Sequence, residues 1–131
     1  MSKKEDQQAI IWLAEVEEHD YPAAESYLCL IYRTSAAAKF IARLKAADIV
    51  QFKAKDIFRA SQLSLLGVSN SHVEKDKKRI KNGKALSPLL LVRNEQNGKV
   101  VIADGYHRLC AIYALDEDAF IKCKIVSAQV H

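Results

Sequence analysis

Two apolar runs, Pro88-Leu89-Leu90-Leu91-Val92-Arg93 and Lys99-Val100-Val101-Ile102-Ala103, are joined through Asn97-Gly98. Asn-Gly tolerates the positive φ of a tight turn, so the pair reads as an antiparallel hairpin. The first run is apolar almost without a break, which suits a strand covered on both faces. Phe120 to Val126 alternates with period two and closes the sheet, and Ile49-Val50-Gln51-Phe52 is a further short strand.

The remainder reads as helix. Gln7 to Glu18 places Ile10, Ile11, Ala14 and also Trp12 on one side, which predicts a first helix. His19-Asp20-Tyr21-Pro22 interrupts it; Asp20 or Tyr21 caps the next helix and Pro22 fits its first turn, where a missing N–H costs nothing. That helix runs to about Tyr32 with Ala24, Tyr27, Leu28 and Ile31 as its stripe. A third starts at Thr34 or Ser35, with Ala37, Phe40, Ile41 and Leu44 inward. Lys55 to Ser61 forms a helical turn, and Leu63 to Leu66 is an apolar stretch ended by Gly67. Ser71 and Glu74 have the spacing of a capping box, opening a helix that ends at Asn82-Gly83 with Val73 and Ile80 inward. A last helix spans Tyr106 to about Leu115. The expected fold class is α+β: a small mixed sheet with flanking helices at about 71–82 and 106–115. Residues 1–47 form an N-terminal helical layer and residues 48–131 one compact unit.

Composition excludes several alternatives. In 131 residues, 50% are hydrophobic and 27% charged, the balance of a folded domain rather than a disordered chain. Apolar runs are too short to span a bilayer, and the polar, acid-bearing start is unlike a targeting segment, so a cytoplasmic location is expected. Cys29, Cys110 and Cys123 are odd in number without a CxxC pair, and His19, His72, His107 and His131 have no ligand spacing towards them. Neither a disulfide framework nor a metal knuckle is expected. Cys29, on an apolar helix face, and Cys123, in a strand pattern, read as small core residues. The net charge of +4 gathers at Lys75, Lys77, Lys78, Arg79, Lys81 and Lys84. This stretch reads as a solvated helix face or as a surface for polyanions. It has no aromatic residue to stack on bases.

Asp104-Gly105-Tyr106-His107-Arg108 lies where a strand enters a helix. The first N–H groups of a helix lack internal partners and carry positive potential, so a phosphate or carboxylate is a natural guest. Gly105 permits a sharp turn and close approach, and His107 and Arg108 add donors, Arg with two-bond geometry towards phosphate. Asp104 is placed to cap the helix, to orient His107 or Arg108, or to help hold a metal carried by a nucleotide. The plain alternative is an Asp-Gly turn with an ordinary cap.

From about Ile49 to Val126 the chain resembles the ParB/sulfiredoxin fold family. The matching pieces are the basic helix ending at Lys81-Asn82-Gly83-Lys84, Leu86 to Val92, the hairpin, Val101-Ile102-Ala103-Asp104-Gly105-Tyr106-His107-Arg108 entering a helix, and the strand from Ile121 to Val126. Members carry a Gly-containing signature at this turn: Gly-Glu-Arg-Arg in partition proteins, Gly-Cys-His-Arg in sulfiredoxins, Asp-Gly-His-His-Arg or Asp-Gly-His-Thr-Arg in others. The present letters are nearest the last group, a bacterial variant. The resemblance implies nucleotide binding with phosphate at Gly105, His107 and Arg108, with Asp104 beside them and Tyr106 in the same turn. The sulfiredoxin cysteine and the partition-protein glutamate both fall on Tyr106, so neither peroxiredoxin reduction nor a CTP clamp is expected. No helix-turn-helix follows, so sequence-specific DNA reading lacks its element.

The leading expectation is therefore binding of a nucleotide or other phosphate ligand; the sequence defines no cofactor, though a nucleotide could bring magnesium with it. If the chain is an enzyme, which the sequence leaves open, phosphoryl transfer or nucleotide hydrolysis is the natural reaction class, with Asp104 and His107 as catalytic candidates. Glu74, Asp76 and Asp56 are further acids whose position the sequence does not define. The alternative is a non-catalytic module that docks a protein or nucleic acid through the basic helix.

Overall fold

A computed structural model describes residues 9–64 and 70–129. The chain is α+β, with five α-helices and four strands among the described residues. The elements are α1 (Asp20–Leu28), α2 (Thr34–Ala46), β1 (Val50–Lys53), α3 (Ala54–Ser61), α4 (Ser71–Lys81), β2 (Leu89–Asn94), β3 (Lys99–Asp104), α5 (Tyr106–Leu115) and β4 (Phe120–Ser127). Strand order is β1-β4-β2-β3. β2 pairs antiparallel with β3 and parallel with β4, and β1 pairs antiparallel with β4. The hairpin turns through a short 3₁₀ segment, Glu95–Asn97, with Gly98 at φ +64°.

Alternation along the strands sorts the core onto two faces. Leu89 and Leu91 of β2, Ile102 of β3, and Ile121 and Cys123 of β4 face α3, α4 and α5, meeting Ile57, Val73, Ile80, Leu109 and Ile112. Leu90 and Val92 of β2, Val101 and Ala103 of β3, and Val126 of β4 face α1 and α2, meeting Tyr21, Leu28, Ala37, Phe40 and Leu44. β2 is therefore covered on both sides, as its apolar run requires. Lys124 also points into the α1–α2 side. Its buried Nζ donates to the Tyr21 hydroxyl (3.3 Å) and to the Lys45 carbonyl (3.2 Å) in the last turn of α2. That helix end carries negative potential and suits a cation.

Several expectations are corrected. The predicted first helix is absent over residues 9–18; Gln7 and Gln8 lie outside the described residues. Instead Leu86 N–H donates to Ile11 O and Leu13 N–H to Leu86 O, each at 2.8 Å, and Trp12 bridges Leu86 in parallel. Ile10 and Trp12 pack on the core while Ile11 is exposed, so a period-two pattern with a backbone partner prevailed over a thin helical one. In α1, Tyr21 rather than Tyr27 or Ile31 is buried. The helix ends at Leu28, and Cys29, expected in the core, is its exposed C-cap. The N-cap of α4 is Asn70, not Ser71: its Oδ1 accepts from the N–H groups of His72 (3.0 Å) and Val73 (3.2 Å). The Leu65-to-Gly67 stretch lies outside the described residues, as does His131. No described helix is long and apolar enough to cross a membrane.

Cys110 and Cys123 are buried, and burial pushes the Cys123 thiol up to about 12. Thiolate is the reactive form, so both should be inert in the native protein. Treatment of the native chain with a disulfide-exchange reagent should modify one thiol, Cys29, rapidly and the other two only after denaturation. A second thiol reacting as fast as Cys29 would contradict this packing.

Candidate functional site

The junction between β3 and α5 is shaped by one backbone requirement. Gly105, the N-cap of α5, sits at φ +106°, which L side chains rarely adopt. A Cβ there would lie 2.5 Å from Leu89 Cγ and 2.9 Å from Arg108 Nη2. Just before the turn, Leu90 pairs with Asp104 but Leu91 with Ile102, so β3 carries one extra residue, Ala103. Such a bulge bends a strand and re-aims the residue that follows, here Asp104.

Asp104 does not cap the helix. With glycine at the N-cap, the first turn of α5 receives no side-chain cap. The Asp104 carboxylate is taken by Arg108, whose Nη2 lies 3.1 Å from Asp104 Oδ2, 3.7 Å from Asp20 Oδ2 and 3.5 Å from the Pro88 carbonyl. Asp20 is itself buried, accepting from Ser87 Oγ at 2.6 Å, and its other oxygen lies 3.3 Å from His19 Nε2. Arg108 is thus largely withdrawn from solvent, with 17% of its side chain exposed, and its Nε is buried without an acceptor among the described residues. Burial raises the Asp104 pKa, Arg108 opposes that rise, and the nearby Asp20 charge adds to it.

A polar cleft of about 290 Å³ opens between the start of α5 and one side of α4. From α5 and its turn come Asp104, Gly105, Tyr106, His107 and Arg108; from α4 come His72, Lys75, Asp76 and Arg79. The five residues of the sequence signature therefore share one cleft. The His72 and His107 rings stand 4.8 Å apart, each in the first turn of its helix. Asp76 is buried and paired with Arg79 at 3.5 Å. Tyr106 turns its hydroxyl to the Ser64 carbonyl.

The basic stretch divides. Lys75 and Arg79 line the cleft, Lys78, Lys81 and Lys84 are exposed outside it, and Lys77 is drawn against Glu74 at 3.6 Å. Glu74 is thereby engaged away from the cleft, and Asp56 borders a separate apolar cleft beside Phe52 and Ile57. Among the described residues no group of three or more His, Cys, Asp and Glu is placed to hold a metal ion. Asp20, Ser87 and His72 were not foreseen as site residues. Asp20 and Ser87 lie far from Arg108 in sequence, and nothing in the local spacing connects them. Comparison with protein-family models, curated proteins and solved structures gives no match.

The raised Asp104 pKa fixes the sign of its pH dependence. The folded state holds this proton more tightly than the unfolded chain. Its contribution is full below the ordinary Asp value of 3.8 and is lost as pH rises through the higher folded pKa. Carbon-detected NMR titration should place the Asp104 midpoint above that ordinary value, and Arg108→Gln should move it further up by removing the opposing charge. A downward move in the variant would show that Arg108 does not face Asp104.

Proposed function

We propose that the cleft between α4 and the first turn of α5 binds the phosphate group of a nucleotide or similar small phosphate ligand. The observation that carries this reading is the uncapped start of α5 opening into a cleft bordered by cations. Helix N–H groups without side-chain acceptors favour an anion. Lys75, Arg79, His72 and His107 surround that position. The carboxylates nearby are already compensated, Asp104 and Asp20 by Arg108, and Asp76 by Arg79. The resemblance of this turn to the ParB/sulfiredoxin signature points the same way.

The role of Arg108 in this reading is first to hold the turn. Two carboxylates already engage its guanidinium, so Lys75 and Arg79 of α4 carry the direct contact with the ligand. Asp104 is engaged in the same way, which leaves His107 as the candidate for moving a proton if a phosphoryl group is transferred or hydrolysed. Its ring borders the cleft without an ion-pair partner among the described residues.

Titration with inorganic phosphate and then with nucleoside monophosphates, followed by amide NMR, tests the reading. The Tyr106, His107 and Arg108 amides should shift together and saturate one to one. Arg79→Ala should weaken binding by roughly tenfold, about 1.4 kcal/mol, near the lower end for a charged hydrogen bond. Shifts confined to other parts of the molecule, or none at millimolar phosphate, would overturn it.

A further inference from the structure

The cations of α4 do not stop at the cleft. Lys78 and Lys81 continue from Lys75 and Arg79 around the exposed side of the helix, and Lys84 follows just beyond its end. Positions three and four apart on a helix bring their Cβ atoms within about 5–6 Å, so Lys75, Lys78 and Lys81 form an oblique row of neighbouring charges. Lys77 and Arg79 have carboxylate partners on the same helix, Glu74 and Asp76. Lys75, Lys78, Lys81 and Lys84 make no ion pair among the described residues. The row begins at the cleft wall and runs away from it.

We infer that this face is a track for the phosphodiester backbone of single-stranded nucleic acid, whose phosphorylated end the cleft receives. The seating of the end rests on the phosphate reading above; the track rests on the lysine row. Three features favour this partner over an acidic protein. The exposed side of α4 carries no large apolar residue, since Val73 and Ile80 are buried. A protein interface needs an apolar, desolvated centre, whereas backbone binding needs only spaced cations. A helix of 11 residues, about 16 Å long by the usual rise, offers its row from the cleft outward, which suits a strand with one end held. Residues 75–84 hold no aromatic, and the rings of Tyr106, His72 and His107 lie only at the cleft, so along the row bases would not be stacked or read and binding there would be independent of sequence.

The test is fluorescence anisotropy with short single-stranded oligonucleotides of two unrelated sequences, each with and without a 5′-phosphate and a 3′-phosphate, over a salt series. With Lys75, Lys78, Arg79 and Lys81 engaged, log K should fall with log salt at a slope of about −3, taking about −0.7 for each single-strand contact. Lys78→Ala/Lys81→Ala should weaken both sequences equally and flatten the slope by about 1.4. One of the phosphorylated ends should bind at least about tenfold tighter than the bare strand, and Arg79→Ala should remove that difference. If the strand binds but neither terminal phosphate adds affinity, the seating of the end is wrong. If inorganic phosphate binds the cleft while no oligonucleotide binds at low salt, or the double lysine variant binds as well as wild type, the track is wrong and the phosphate reading stands alone. A polyglutamate chain binding as tightly, with the same loss in the double variant, would also overturn the assignment to nucleic acid.

Discussion

The Arg108 guanidinium, lying between Asp104 and Asp20, ties together four parts of the chain at one polar point beside the apolar core. Asp20 opens α1, Asp104 ends β3, Pro88 leads into β2, and Arg108 belongs to α5. Two carboxylates this close repel each other, and Asp20 has only 4% of its surface exposed. Without the guanidinium, a buried charge would remain with a Ser87 hydroxyl and an exposed histidine as partners. Removing one member of a buried ion pair typically costs about 3–5 kcal/mol, far more than an exposed pair contributes. Partial exposure of Arg108 places this cluster towards the lower end of that range.

Gly105 makes the arrangement possible. Leu89 lies where its side chain would be, so β2 and the start of α5 approach more closely than any other residue allows. The same absence of a side chain leaves the helix start uncapped. Core packing and helix capping thus meet at a single residue: the turn that lets Leu89 fill the core also leaves the start of α5 without a side-chain cap. Arg108 is drawn inward by the carboxylates, and the other Lys and Arg side chains of the cleft, Lys75 and Arg79, come from α4.

The second half of the fold was legible because each element carries its own local signal. The hairpin has Asn97-Gly98, β2 has an uninterrupted apolar run, and Asp104-Gly105 marks the start of α5, whose observed span of Tyr106–Leu115 agrees with the sequence pattern. The inward faces of α2 and α4 were legible for the same reason. Residues 9–18 were misread because their backbone bonds go to Leu86, a partner with no local trace. Cys29 was misplaced because α1 stops at Leu28, about four residues before the Tyr32 end that its apolar pattern suggests. At the site, the five-residue turn could be read directly. Asp104 orienting Arg108 was among the readings of that turn and is observed; the second partner, Asp20, could not be read because it arrives from a distant helix, and the cleft wall depends on how α4 packs against α5.

A double-mutant cycle on Asp20 and Arg108 tests the account most directly. Asp20→Asn keeps an acceptor for Ser87 while removing the charge, and Arg108→Gln removes the guanidinium while keeping a polar side chain. Urea denaturation of wild type, both single variants and the double variant should give an interaction energy of about 1 kcal/mol or more, within the range for residues sharing one network. Single-variant losses that simply add would contradict the claim that this pair holds the turn.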